Sequence, residues 1–590
     1  MALLAPSLFA EPVALKSSAV EQIRVLMDEK RSRTPAQRKV GSDLLMEIHR
    51  TQKSAFLEKL PQLQTRARVA ADGKVLVDLG ADVSEALLWR IGQLGGEVVN
   101  AHPKYRAVRA RLPLSKILAL AEDPSVTNIR SADQFTVRMT NTTEGDVAHG
   151  ADTARTTFGV DGTGVQVGAI SDSVDALATL QASGDLPGTV TVLAGQSGNP
   201  GTSEGTALLE IVHDMAPGAD LFFATAAGGT AQLAQNILDL QAEGCDVIVD
   251  DVLYFIEPVF QDGIIAQAVD TVAAAGTIYV SSAGNSGNLN SGTSGTWEGI
   301  YSGDTLPTPL SGMGMTAHNF GSGVTNEVTL DGPSFFTLHW GEAEGNVLSD
   351  YDLFLLDSTA STVVDSSTDS STFGIAFEDI DTISRDDTGN LLVVVHVSGT
   401  SPHFIHLSTQ RGELAVATEG ETYGHPAAEG ALSVGAVRVP MGGGVFDGTE
   451  SIEAFSSDGP RRILFDAAGN PTRPSGAERG INTGIVRDKP DVSGANGVST
   501  ATPGFETFFG TSASAPHIAG VSALFRELFP NIPPGNAFDI FRSTALDIEA
   551  PGPDRDSGSG IVNANEALNP VLFADGFESG DATAWTNEVP

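Results

Sequence analysis

From about residue 143 onward the chain alternates short apolar runs with amphipathic ones, and this alternation limits its fold more than any other feature. GVQVGAIS (164–171), ADLFFAT (219–225), CDVIVDD (245–251) and GTIYVSSA (276–283) have the length and composition of buried strands, and AQLAQNILDLQAEG (231–244) carries helical periodicity. Strands separated by helices predict an α/β fold built on a parallel, doubly wound sheet, which binds its ligands at the carboxyl ends of the strands. The alternation stops between about 306 and 418, where NEVTLDG, FFTLHW, YDLFLLD, NLLVVVHVSG and HFIHLST are short strands set apart by Gly, Ser, Asp and Thr turns. That pattern predicts a β-sandwich inserted into an α/β domain that resumes at ALSVGAVRV and spans 143–567 overall.

Ahead of this domain, residues 17–60 read as helical, with a break at Thr34-Pro35 where the threonine is placed to cap a second helix. Residues 74–131 follow a β-α-β-β-α-β-like order and predict a small, compact α+β unit. The opening MALLAPSLFAEP, within residues 1–15, has the apolar run and small residues of a truncated signal peptide without its positive leader, which makes export the expectation. Residues 568–590 lack periodicity and read as a tail. No run approaches the roughly 18 uninterrupted apolar residues of a membrane span.

The chain carries 34 Lys+Arg against 74 Asp+Glu, a formal charge of −40, which excludes a nucleic-acid binder held by phosphate contacts. With 41% hydrophobic residues it has ample material for packed cores. The charge is uneven: residues 1–140 hold 21 basic and 15 acidic residues, and the remaining 450 hold 13 and 59. Such asymmetry predicts a basic N-terminal part that docks on an acidic one and is later removed. The single cysteine, Cys245, excludes an intrachain disulfide, and no His/Cys spacing suits structural zinc.

The segment with the most chemical content is GTSASAPHIAGVSALFREL (510–528), a Gly-Thr-Ser turn opening a helix whose first turns are small residues. A serine there has its hydroxyl beside the helix N-terminus, whose N–H groups favour developing negative charge. This segment resembles the serine motif of the subtilase superfamily, which includes subtilisins and sedolisins, and the form GTSASAP leans toward sedolisins. KPDVSGANG (489–497) and FSSDGP (455–460) are similar to the segments that precede that serine, VSSAGNSG (280–287) to the oxyanion loop, and VGAISDSVD (167–175) to the aspartate strand. The resemblance implies Ser512 as nucleophile, Asn285 in the oxyanion hole and Asp172 as the acid that supports the base. It also implies that residues 16–140, with 74–131 as their compact part, are an inhibitory propeptide.

The sequence departs from subtilisins at the base. SEGTALLEIVHDMAPGADL (203–221) places Glu204 where a subtilisin has histidine, and sedolisins use glutamate there. The rival is His213, the nearest histidine. On a helix, nine residues at about 100° each turn through roughly 900° and advance about 13 Å, which sets His213 opposite Glu204. Sedolisins usually carry an aspartate four residues after that glutamate, but here the position is Leu208. Asp172 is the natural replacement. Asp251, at the end of VIVDD, is a further candidate acid that could share a proton with Glu204, or else a strand-end turn residue.

The chemistry requires no cofactor. Asp547, Asp554 and Asp556 in TALDIEAPGPDRDSGSG form an oxygen-rich loop, a candidate structural calcium site of the kind the resemblance suggests. The expected function is that of a secreted serine endopeptidase, made as a zymogen, that hydrolyses polypeptides, with an acidic to mildly acidic optimum because glutamate is the base. Its expected partners are polypeptide substrates and its own propeptide. The alternatives are an inactive subtilase-fold binding or adhesion protein, and an active enzyme that uses His213.

Overall fold

The computed structural model of the chain describes residues 13–64, 67–132, 143–332, 334–370, 373–383, 385–472 and 483–569. The expected signal segment lies largely outside these residues, as does nearly all of the expected tail.

The predicted parallel sheet is present. Its strands are β1 (Gln166–Ser171), β2 (Val190–Val192), β3 (Asp220–Thr225), β4 (Val247–Asp250), β5 (Ile278–Ser282), β6 (Ala431–Arg438) and β7 (Val492–Asn496), in the order β7-β6-β5-β4-β1-β3-β2. All neighbours are parallel. These strands are apolar almost throughout because both faces are covered. On one face, Val167, Val249 and Val280 pack against Leu208 of α1 (Glu204–Met215) and Val521 of α4 (Thr511–Leu528). On the other, Ile170, Ile248 and Tyr279 meet Ile237 of α2 (Thr230–Glu243) and Val269 of α3 (Ile264–Ala274). From β1 the chain crosses to the edge strand β2, comes back to β3 beside β1, and then passes to β4 on the other side of β1. The switch point therefore falls between β1 and β4, and the carboxyl ends of those two strands frame a natural crevice.

Residues 74–131 form an antiparallel sheet in the order 97–102, 107–113, 74–81, 126–131, with helices Glu85–Gln93 and Ile117–Ala121. Strand Lys74–Ala81 alternates strictly between buried and half-buried residues, as a sheet with one core face requires. Its edge meets the start of α2, where Asn100 Nδ2 donates to Gly228 O (2.8 Å). Upstream, the helix Ser17–Ser32 ends before Thr34, but Thr34 caps only the short turn Gln37–Lys39, and the second helix begins later, at Ser42. Proline and the turn separate the cap from the helix expected to use it.

The five strands read between 306 and 418 are all present, in two antiparallel sheets that share a core including Phe336, Trp340, Tyr351 and Val394. Pairing starts earlier than the periodicity indicated, because Thr296–Ile300 pairs with Phe404–Ser408. Strand Thr296–Ile300 is half-polar and short, so it carries little apolar signal.

Helices α1 and α4 lie against each other at Gly520, where a Cβ would stand 2.3 Å from Met215 Cβ. Replacing Gly520 by valine is expected to wedge the helices apart and lower stability by about 1–3 kcal/mol, read as a lower denaturation midpoint.

Candidate active site

The site is assembled at the switch point. Asp172 follows β1 and faces the start of α1, where its Oδ1 accepts from Glu204 N (3.0 Å) and its Oδ2 accepts from Thr202 N. Ser203 N, between them, donates to Ser173 Oγ (2.9 Å). These bonds satisfy the N–H groups that a helix start leaves open, and a carboxylate there complements the helix dipole. They also hold Ser203 in the left-handed region, at φ 77°, which sharpens the entry into the helix. Gly205 comes next, where a Cβ would lie 2.3 Å from Phe223 Cε2 and 2.7 Å from Ser173 O, so the backbone seats tightly on β3.

Asp172 thus meets the backbone at the start of α1, including the N–H of Glu204. Asp251, just beyond β4, is buried beside Glu204, and the two carboxyls interact. Both residues are buried, Glu204 completely. Burial pushes Asp251 well above the usual carboxylate range, and the nearby charges of Asp172 and Asp250 push it the same way. Two carboxyls in contact in a dry site cannot both be ionised, so the pair retains a proton at pH values where free carboxylates have lost theirs.

Asp250, the residue before Asp251, faces a different set of groups. Its Oδ1 accepts from Ser281 Oγ (2.9 Å) and lies 3.1 Å from His425 Nε2, while His425 Nδ1 is 2.9 Å from Glu257. Despite complete burial, the two carboxylates push the His425 imidazole up to about 10. This buried triad anchors the end of β4 that presents Asp251. The sequence offered no sign of it, because His425 lies beyond the insert, 175 residues from Asp250.

Ser512 occupies the second position of α4 and is 2% exposed. Asn285 Oδ1 accepts from Thr511 N (2.9 Å) and Thr511 Oγ1 (3.2 Å), which fixes its amide at the start of α4. Gly510, at φ 101°, makes room for that amide: a Cβ there would stand 3.1 Å from Asn285 Nδ2. The loop after Asn285 is bolted to residues 453–457. Ser286 N donates to Ser457 Oγ (3.0 Å), and Asn288 Nδ2 lies 3.3–3.4 Å from the carbonyls of Glu453, Ala454 and Ser456.

His213 is the tenth residue of α1, near the end remote from Glu204, and burial lowers its pKa. The candidate calcium loop does not gather its carboxylates. Asp554 Oδ1 accepts from the N–H groups of Asp556 (2.8 Å) and Ser557 (2.9 Å), Asp547 Oδ2 accepts from Gly552 N (2.9 Å), and Asp556 turns to Asn290. Among the described residues no group of three His, Cys, Asp or Glu is suited to a metal ion. No helix among the described residues is long and apolar enough to cross a membrane.

Replacing His425 by alanine leaves Asp250 and Glu257 buried without a counter-charge and is expected to cost about 3–5 kcal/mol. Because the histidine's folded value is raised, its contribution is full below the ordinary value of 6.5 and is lost as pH climbs through about 10. Denaturation midpoints across that range, for both chains, check this.

The model of the Subtilase family matches residues 189–560, a segment that contains Glu204, Asn285 and Ser512 and begins after Asp172. Fervidolysin of Fervidobacterium pennivorans is 32% identical over 120 residues, 19% of this chain and 17% of that protein. An extracellular serine protease of Serratia marcescens is 35% identical over 78 residues, 13% of this chain and 8% of that protein. The chain thus spans less than a fifth of the length of these curated relatives. The crystal structure of fervidolysin superposes at a TM-score of 0.39 with 15% identity, over 84% of this chain and 61% of that one. Because the family model covers well over half of its length, the chain belongs to the subtilase family.

Proposed function

We propose that the chain is an exported serine endopeptidase, made as a zymogen, whose general base is Glu204 sharing a proton with Asp251. The observation that carries this reading is the buried carboxyl pair at the switch point, which supplies a proton acceptor at the position where a subtilisin has histidine. Ser512 Oγ attacks the peptide carbonyl while Glu204 takes its proton. The oxyanion forms between Asn285 Nδ2 and the Ser512 N–H, and Glu204 returns the proton to the departing amine. Water then repeats the sequence on the acyl-enzyme, with its proton passing to Glu204 and on to Ser512. Asp251 holds the second carboxyl position, and Asp172 sets the orientation of Glu204 through the start of α1. Residues 16–140 act as the propeptide. Export is supported by the apolar opening and by the likeness to an extracellular protease.

Self-processing tests the reading. Wild type is expected to lose roughly its first 140 residues, and Ser512→Ala to remain intact. A full-length wild type that takes no label from a serine-reactive fluorophosphonate would instead identify a binding protein. Glu204→Ala is expected to lower kcat/KM by about 1,000-fold or more, and His213→Ala by less than about tenfold. The reverse outcome would make His213 the base.

The pH profile has a defined sign. Activity falls in acid as the pair takes its second proton and Glu204 can no longer accept one. It falls again in alkali as the pair loses its last proton. Because the Asp251 value is raised by folding, its contribution to stability is present below the ordinary carboxylate range and declines as pH rises. Asp251→Asn is expected to flatten that decline and remove the alkaline limb, measured by kcat/KM and by thermal denaturation over the same pH series.

A further inference from the structure

The helix Ser17–Ser32 lies on the insert, away from the catalytic cleft. Its residues Val20, Ile23 and Met27 share a core with Phe354, Val393 and Val395 of the insert. Strand Asp350–Leu356 shows what this contact does. Tyr351, Leu353 and Leu355 face the core between the two antiparallel sheets, whereas Asp352, Phe354 and Leu356 face the helix. The neighbouring strand Leu391–Ser398 divides in the same way, which is why it reads as the unbroken apolar run LLVVV. A sheet with one solvated face would alternate, so this one is built to be covered.

The cover is specific. Lys30 is buried between Asp350 (2.9 Å) and Asp352 (2.5 Å). Arg33 Nη1 donates to Thr368 O (2.7 Å), Ser42 N to Asp369 Oδ1 (2.5 Å) and Gln64 N to Val364 O (3.1 Å). Residues 13–64 carry 10 basic and 6 acidic residues, against 2 basic and 15 acidic in 306–418. The seam is nonetheless not packed like a core. A cavity of about 360 Å³ runs along it, with Met46, Leu63 and Arg68 on one side and Phe335, Asp369 and Asp381 on the other. Burial and Asp350 push Asp352 up to about 7 even with Lys30 beside it, and burial with Asp369 pushes Glu378 well above the carboxylate range.

We propose that this face of the insert is a polypeptide-docking surface, held in the precursor by residues 13–64 and, after that segment leaves, by an amphipathic helix of a partner polypeptide with an apolar stripe and a central lysine. The proposal rests on the zymogen reading above, because the face is free only after the N-terminal part has been removed. The resident helix displays the chemistry the face selects: an apolar stripe for Phe354, Val393 and Val395, and one ammonium group for the two aspartates. Loss of that ammonium from a buried pair costs more than loss of a surface charge, so the lysine sets register as well as affinity.

The experiment uses the full chain bearing Ser512→Ala, with a recognition sequence for a foreign protease placed within 133–142. The chain is cut, and the N-terminal fragment is removed by gel filtration at about pH 5. A fluorescent peptide of residues 13–64 is then titrated onto cut and uncut chains. The stripped chain is expected to bind it and the uncut chain not to. Lys30→Met in the peptide is expected to weaken binding about tenfold or more, a substitution that leaves the protein untouched. Asp352→Asn in the protein is expected to weaken binding of the parent peptide. A fragment that never separates, a stripped chain that ignores the peptide, equal binding of the Lys30→Met or a scrambled peptide, or dimerisation of the stripped chain through this face would each overturn the proposal. Because the serine is absent and an outside protease makes the cut, none of these results depends on Glu204 chemistry. Failure of wild type to process itself would overturn the enzymatic reading without moving them.

Discussion

The site depends on a carboxylate that grips peptide backbone. Asp172 and its neighbour Ser173 hold successive amides from Thr202 to Gly205, and α1 can start only where those bonds permit. The first residue of that helix is Glu204, so fixing the helix start fixes its carboxyl. The same anchor sets the direction of α1 across the sheet, and with it the packing of α4, which carries Ser512. A helix that started one residue later would turn Glu204 by about 100° and break its contact with Asp251.

The parallel sheet was legible because buried strands and the helices between them leave periodicities that survive without any partner information. Ser512 and Asn285 could be named as candidates for a different reason: small residues and glycines cluster where backbones must approach closely, as at Gly510 beside the Asn285 amide. Glu204 and Asp251 could be named as candidates, but their union could not be read, since one begins a helix and the other ends a strand 47 residues later. Asp172 could be named as a candidate, but its bonds to the amides from Thr202 to Gly205 could not be read, because spacing cannot distinguish a carboxylate that meets a side chain from one that meets amides. His425 and Glu257 were invisible, since a buried ion triad is defined by distances across the fold.

The uneven charge gains a physical explanation from the two sheets of the insert. An acidic face with apolar strands on both sides would be costly to leave open, and the basic N-terminal segment supplies the cover. Its ion pairs are few and buried, so salt screens them less than it screens surface charges. Most of the attraction between the two parts is thus short-ranged and tied to one register, and the apolar stripe provides the area.

The bolted loop after Asn285 has a mechanical consequence. The first strand of the two antiparallel sheets begins eleven residues beyond Asn285, at Thr296, so any tilt of those sheets would act on the Asn285 amide through the connecting loop. The hydrogen bonds from Ser286 and Asn288 to residues 453–457 carry such a load into the body of the domain before it reaches Asn285. They act as strain relief, like the clamp on a cable. The two antiparallel sheets can therefore shift with whatever they touch, while the Asn285 amide stays in place.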